Sequence, residues 1–215
     1  MIGRLMYLPD QFREERVEIL RAFIAAHPLG ALVTSSEQGL TADHIPMRWR
    51  EDADTPGVLY GHIARANDVW RRLAPDSPVL VIFGGAERYI SPSWYPSKQE
   101  HGKVVPTWNY SVVHAHGTIQ FSDSAEMKLR HVRDITDQQE STRAAPWQVS
   151  DAPSEYIERL LNAIVAFEIR IDRLIGKFKA SQHRPDDERT SVARALETEG
   201  AARADVAEVV RAPER

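Results

Sequence analysis

The chain has 215 residues, of which 42% are hydrophobic and 27% charged, the usage of an ordinary globular protein, so wholesale disorder is excluded. Lysine and arginine number 27 against 31 acids, a formal net charge of -4, which argues against a protein that binds nucleic acid by general phosphate neutralisation. Cysteine is absent, which removes disulfides, thiolate zinc sites and cysteine nucleophiles. No apolar run approaches the roughly 20 residues of a membrane span. Residues 1–10 lack the features of a signal peptide, so a soluble cytoplasmic protein without membrane attachment is expected.

In chain order, Phe12, Arg16, Ile19, Phe23 and His27 share one helical face, with Leu20 and Ile24 beside them. A helix is expected from Asp10, its cap, to the stop at Pro28 and Gly30. Residues 29–34 and 40–49 read as a hairpin about the turn Ser36-Glu37-Gln38-Gly39, followed by a polar loop over residues 51–57. Residues 58–62 and 78–83 read as strands, with a short helix over residues 65–73 between them. Gly84-Gly85 is expected to turn the chain, and residues 91–103 read as a long loop.

Residues 104–121 alternate with period two. Trp108, Tyr110, Val112, His114 and His116 lie on one face, and Val113, Ala115, Ile119 and Phe121 on a core-facing one. Asp123-Ser124-Ala125-Glu126 opens a helix to residue 139, and Pro153 opens another to residue 162. Alternation returns over residues 163–174, and a last helix spans residues 185–196. Residues 1–198 are expected to form a single domain and residues 199–215 a frayed tail. Six or seven sequential strands with helices at the edges imply a mainly β protein, an antiparallel meander or barrel with peripheral α-helices.

Three stretches offer chemistry. In Gly61-His62-Ile63-Ala64-Arg65-Ala66-Asn67, a strand ends at an expected helix start, where free N–H groups and a guanidinium suit an anion. The same string also suits a solvated arginine and an asparagine cap. Trp94-Tyr95 and Trp108-Asn109-Tyr110 flank one proline-rich loop, and flat rings beside amides suit a planar heteroaromatic ligand, or equally the core or a subunit contact. Lys177-Phe178-Lys179-Ala180-Ser181-Gln182-His183-Arg184 concentrates donors in an acidic chain, which suits a phosphate or a merely solvated charge run. His114 and His116, two apart on a strand, have no carboxylate to complete a facial metal triad, so no metal is expected.

Seven strings in order carry a resemblance. They are Met6-Tyr7-Leu8-Pro9 with Phe12, His44-Ile45-Pro46, residues 61–67, Tyr89-Ile90-Ser91-Pro92-Ser93-Trp94-Tyr95, Val104-Val105-Pro106-Thr107-Trp108-Asn109-Tyr110, Val113-His114-Ala115-His116-Gly117, and Lys177-Phe178-Lys179-Ala180-Ser181-Gln182. Together they resemble the PaiB family of FMN-binding negative transcriptional regulators, over about residues 6–198. His183 departs from the asparagine expected after Ser-Gln.

The resemblance implies an FMN-binding split β-barrel, akin to pyridoxamine phosphate oxidase-like proteins, in a homodimer that holds FMN at the subunit interface. It assigns phosphate and ribityl contacts to Arg65, Asn67, Lys177, Lys179 and Ser181, and isoalloxazine walls to Trp94, Trp108 and Tyr110. Gln182 is set at a ring edge, and His62 and Asn109 complete the candidate set.

The family name implies DNA or a regulatory protein as partner. The helix after Ser124 carries Lys128, Arg130, His131 and Arg133, but Glu126, Asp134, Asp137 and Glu140 surround them with acid. The alternatives are an FMN-dependent oxidoreductase, with His62, His114 and His116 as proton donors, and a haem-handling protein.

Overall fold

The computed structural model describes residues 6–199, so the tail expected over residues 199–215 lies, Glu199 apart, outside the described residues. Strands are β1 (Arg13–Glu14), β2 (Leu29–Ser36), β3 (Gly39–Arg50), β4 (Val58–Ala64), β5 (Ser77–Ile90), β6 (Thr107–Ser122) and β7 (Ile164–Lys179). Helices are α1 (Val17–Ala26), α2 (Val69–Arg72), α3 (Ser97–Glu100), α4 (Ala125–Glu140), α5 (Ser154–Asn162) and α6 (Asp186–Thr198). They fall into two compact units. One, the barrel unit, comprises Val17–Phe83 and His114–Leu174; the second draws on Met1–Arg16, Gly84–Val113 and Ile175–Arg215.

The strand order is β1-β7-β4-β3-β2-β5-β6, and β6 pairs back onto β7, which closes a barrel of the last six. Within the barrel unit, the β2–β3 hairpin runs from Leu29↔Pro46 to Ser36↔Gly39. β4 lies antiparallel to β7 from Val58↔Arg170 to Ala64↔Ile164. Alternation points Leu32, Val81, Ile119, Phe167 and Ile169 inward, all fully buried. Gly117 permits the closure, since a Cβ there would stand 2.1 Å from the Arg170 carbonyl oxygen.

Helix α4 begins where expected: the Ser124 hydroxyl accepts the Met127 N–H. It docks on the barrel through Tyr60, whose hydroxyl donates to Asp134 at 3.0 Å, and through His131, 3.0 Å from the Gly61 carbonyl. Burial, and then that hydrogen bond to Asp134, push the Tyr60 phenol up to about 12. Lys128 and His131 are buried, which leaves Arg130 and Arg133 as the exposed basic residues of α4.

Three expectations need correction. The first helix starts at Val17, because Arg13 and Glu14 pair with Lys177 and Gly176 of β7 and the Glu14 carboxylate accepts the Arg16 N–H at 2.8 Å. Phe12 instead ends a 3₁₀ turn and is buried there. Only Val69–Arg72 is helical within residues 65–73. Asn67 interrupts it, its own N–H bonded to the Ala64 carbonyl and its side-chain oxygen to the Val69 N–H. Finally, Gly84-Gly85 makes no turn: neither residue takes a positive φ and β5 runs through both.

In the second unit, Ile90, Tyr95, Ala180, Val192, Ala193 and Leu196 form a core that Trp94 and Val104 flank. Glu188 is buried beside it, held by Arg184 at 3.2 Å and by the Ser97 hydroxyl. Among the described residues, no helix is long and apolar enough to cross a membrane.

Candidate functional site

In the second unit, the start of β6 and the end of β7 bring most of the candidate residues together. Lys179 extends its ammonium to the Thr107 hydroxyl and, at 2.6 Å, to the Trp108 carbonyl. Lys177 reaches the Tyr7 carbonyl at 3.0 Å and lies 5.4 Å from the Tyr7 ring and 5.3 Å from the Tyr110 ring. Thr107, Trp108 and Tyr7 therefore supply neutral oxygens, and neither ammonium forms an ion pair with a described carboxylate. Burial, and then the charge of Lys177, hold the Lys179 ammonium below the usual lysine range. Two neighbouring cations without a counter-ion make a field that favours an anion.

Beside them, Asn109 and Ser181 bond side chain to side chain at 3.0 Å, both buried. Ser181 has φ +64, the left-handed region that a side chain disfavours. The Gln182 amide folds back on its own turn, accepting the Ala180 N–H at 2.8 Å and donating to the Phe178 carbonyl. It braces the turn, and no contact of its own points to a ring edge. The Trp108 indole is 52% exposed, with Tyr89 edge-on at 6.1 Å between centroids. An exposed indole is well suited to stacking.

Residues that sequence reasoning passed over complete this cluster: Tyr7, Tyr89 and Thr107. Tyr7 and Tyr89 sit in the family strings, but nothing in their spacing ties them to Lys177 or Trp108. Arg184 lies over the Tyr95 ring at 4.6 Å, and its i, i+4 relation to Glu188 was a legible signal. His183, the departure from the family pattern, sits edge-on to Phe12 at 5.9 Å.

The barrel unit places His62, Arg65 and Asn67 near one another in sequence but in closed surroundings. Arg65 is not at a helix start. Its guanidinium donates to the carbonyls of Asn162 at 2.6 Å and Ile164 at 3.2 Å and pairs with Asp123. Asp123 also receives Lys128 at 2.9 Å, and these two cations, Arg65 first, hold its carboxyl down to about 2. Asn67 donates to Asp43 at 2.8 Å.

His62, His114 and His116 differ from these, each having one buried ring nitrogen without a partner. Burial lowers the affinity of all three for a proton. His114 and His116 lie 6.3 Å apart between ring centroids. No group of three metal-ligating side chains occurs among the described residues. His131, which the sequence left unpartnered, is buried 3.7 Å from Glu168.

The closed antiparallel barrel defines a class: a flavin-type split-barrel protein. The chain belongs to the family described as "Putative FMN-binding domain", whose sequence profile matches residues 6–173. It is an FMN-binding protein of the PaiB type, and FMN is its cofactor.

An uncharacterized protein of Aspergillus fumigatus is 33% identical over 240 residues, covering 91% of this chain and 92% of its own. The protease synthase and sporulation protein PAI 2 of Bacillus subtilis is 29% identical over 194 residues, covering 90% of each chain. Among solved structures, the FAD and heme binding protein of Mycobacterium smegmatis shares the fold, with TM-score 0.56 and 16% identity over 78% of this chain and 73% of its own.

The residues present fit FMN. A phosphate monoester carries close to two negative charges at neutral pH, which the Lys177–Lys179 pair lacks as a counter-ion. The isoalloxazine needs a flat face, which Trp108 exposes.

Proposed function

We propose that the chain is a cytoplasmic homodimeric flavoprotein in which Lys177, Lys179 and Ser181 hold the FMN phosphate and ribityl chain while Trp108 and Tyr110 wall the isoalloxazine. The observation that carries this reading is the pair of ammonium groups that meet only neutral oxygens. Asn109 acts through Ser181 as a positioning residue, and Gln182 and Trp94 brace the turn and the loop behind the site. Arg65 and Asn67 tie the end of β4 to its neighbours, their donors being spent on Asp123, Asp43 and backbone carbonyls. FMN supplies redox and light-absorbing capacity; the protein supplies placement and charge.

Pairing of two copies is supported by the outward face of the barrel unit. Ala31 and Val33 of β2 stand in register with Ile82 and Leu80 of β5, and Val33 with Ala42 of β3. This makes an apolar row, half-buried at Ala31, Val33, Leu80 and Ile82 and exposed at Ala42, and Leu40 at its edge is 77% exposed.

A regulatory role, as in the family the sequence strings resemble, is the reading preferred here to turnover. With Lys128 and His131 buried, α4 offers a DNA groove only Arg130 and Arg133 of its four basic residues. Sedimentation velocity of the full chain, followed at a flavin wavelength, tests the core of the reading. A single flavin-coloured species of twice the chain mass, with about one FMN per chain, is expected. A colourless monomer in saturating FMN would overturn it.

A further inference from the structure

We propose that the barrel unit carries a second small-molecule site, separate from the flavin residues, that takes a planar aromatic monocarboxylate. The site is a pocket of about 330 Å³ lined by Arg21, Ile24 and Ala25 of α1, Met47, Arg48 and Trp49 of β3, with Glu51 and Gln138 at its edge. That volume lies at the small end of ligand sites and suits one or two rings.

The floor is apolar and fixed: Ile24 and Met47 are buried in the core. Trp49 also lines the pocket, and its ring is held in place by Gly57, where a Cβ would stand 2.2 Å from it. Gln138 joins the two helices of the wall, its amide donating to the Ala25 carbonyl at 3.0 Å.

Charge selects the ligand. The lining holds two arginines and one acid. Glu51 is taken by Arg21 in an exposed pair. Arg48 donates to the backbone carbonyl of Asp134, a neutral acceptor, and has no described carboxylate within ion-pair distance. Its guanidinium therefore has no carboxylate counter-ion among the described residues, and a carboxylate attached to an apolar ring would supply one in a pocket with Ile24 and Met47 in its lining. None of the lining residues belongs to the flavin set, so the proposal stands or falls independently of FMN binding.

Calorimetric titration of the full chain with phenylacetate, phenylacetamide and phenethylamine tests it. Phenylacetate should bind saturably at one per chain. The amide and the amine should bind at least about tenfold more weakly, a tenfold ratio being about 1.4 kcal/mol. Arg48→Gln should weaken phenylacetate about tenfold, and Glu51→Gln, which frees Arg21, should strengthen it. Ala25→Leu fills the pocket without touching any charge and should abolish binding. It also keeps a good helix former, so it serves if Arg48→Gln fails to fold. Absence of saturable heat, equal binding of acid and amide, or unchanged phenylacetate affinity in Ala25→Leu would each overturn the proposal.

Discussion

The Asn109 carboxamide and the Ser181 hydroxyl hold each other through two hydrogen bonds, Nδ2 to Oγ at 3.0 Å and Oγ to Oδ1 at 3.2 Å, and so fasten the start of β6 to the turn after β7. Ser181 pays for this with φ +64. The pair therefore fixes a backbone conformation that presents Lys177 and Lys179 on the strand just before it.

That conflict between contact and conformation gives an ordered prediction. Ser181→Ala loses the hydroxyl, keeps the unfavourable φ and leaves the buried Asn109 amide unpaired, at a cost of about 1–3 kcal/mol. Ser181→Gly loses the same bond but relieves the backbone, so it should be the more stable of the two by a few tenths to about 1 kcal/mol. Urea midpoints of the two variants check the order.

Arg65 and Lys179 should separate stability from binding. Arg65 donates to two carbonyls and pairs with Asp123, so Arg65→Ala should lower stability in urea by about 0.5–1.5 kcal/mol for the hydrogen bonds lost. It should change FMN affinity little. Lys179→Met should do the reverse, since relieving two adjacent ammonium groups costs the apoprotein little and removes half of the charge offered to phosphate. Denaturation and FMN titration of both variants give the comparison.

Acid should weaken the fold. His62, His114, His116 and His131 all have folded proton affinities lowered, first by burial. Below the ordinary histidine value of about 6.5 the unfolded chain binds protons that the folded chain resists, so stability falls as pH drops through that range and is level above it. The urea midpoint should be lower at pH 5.5 than at pH 7.5, and the double variant His114→Asn, His116→Asn should flatten the difference.

Gly117→Ala should open the barrel. The added methyl would meet a backbone carbonyl at 2.1 Å, which no side-chain rotation relieves. A loss of about 1–3 kcal/mol or more is expected in urea denaturation, with the β6–β7 pairing yielding first to hydrogen exchange.

Much of the barrel was legible because its strands alternate. Val165, Phe167, Ile169 and Ile171 read as one face and are all buried, and the ends of the β2–β3 hairpin fall within a residue or two of their expected places. What the sequence concealed were competitions between neighbours. Arg13 and Glu14 fall inside the span expected to be helical, but their backbone finds partners on β7, 162 residues or more away along the chain, which no local period encodes. Asn67 looked like a cap inside a helix and is instead the residue that prevents it.

The site shows the same division. The donors at Lys177, Lys179 and Ser181 were visible as composition, yet their anchoring on Thr107, Trp108 and Asn109 depends on the pairing of distant strand ends. Arg65 could not be read from composition alone, because a guanidinium suited to phosphate is equally suited to the helix-end carbonyl and the aspartate it meets in this structure.

The central claim, that the Lys177–Lys179 edge holds the phosphate of a flavin, is tested most directly by titrating FMN and riboflavin into the full chain and following flavin fluorescence. Saturable quenching by FMN is expected, with riboflavin, which lacks the phosphate, at least about tenfold weaker, and that gap should close in Lys179→Met. Riboflavin binding as tightly as FMN to the wild type, or a gap that survives Lys179→Met undiminished, would contradict it.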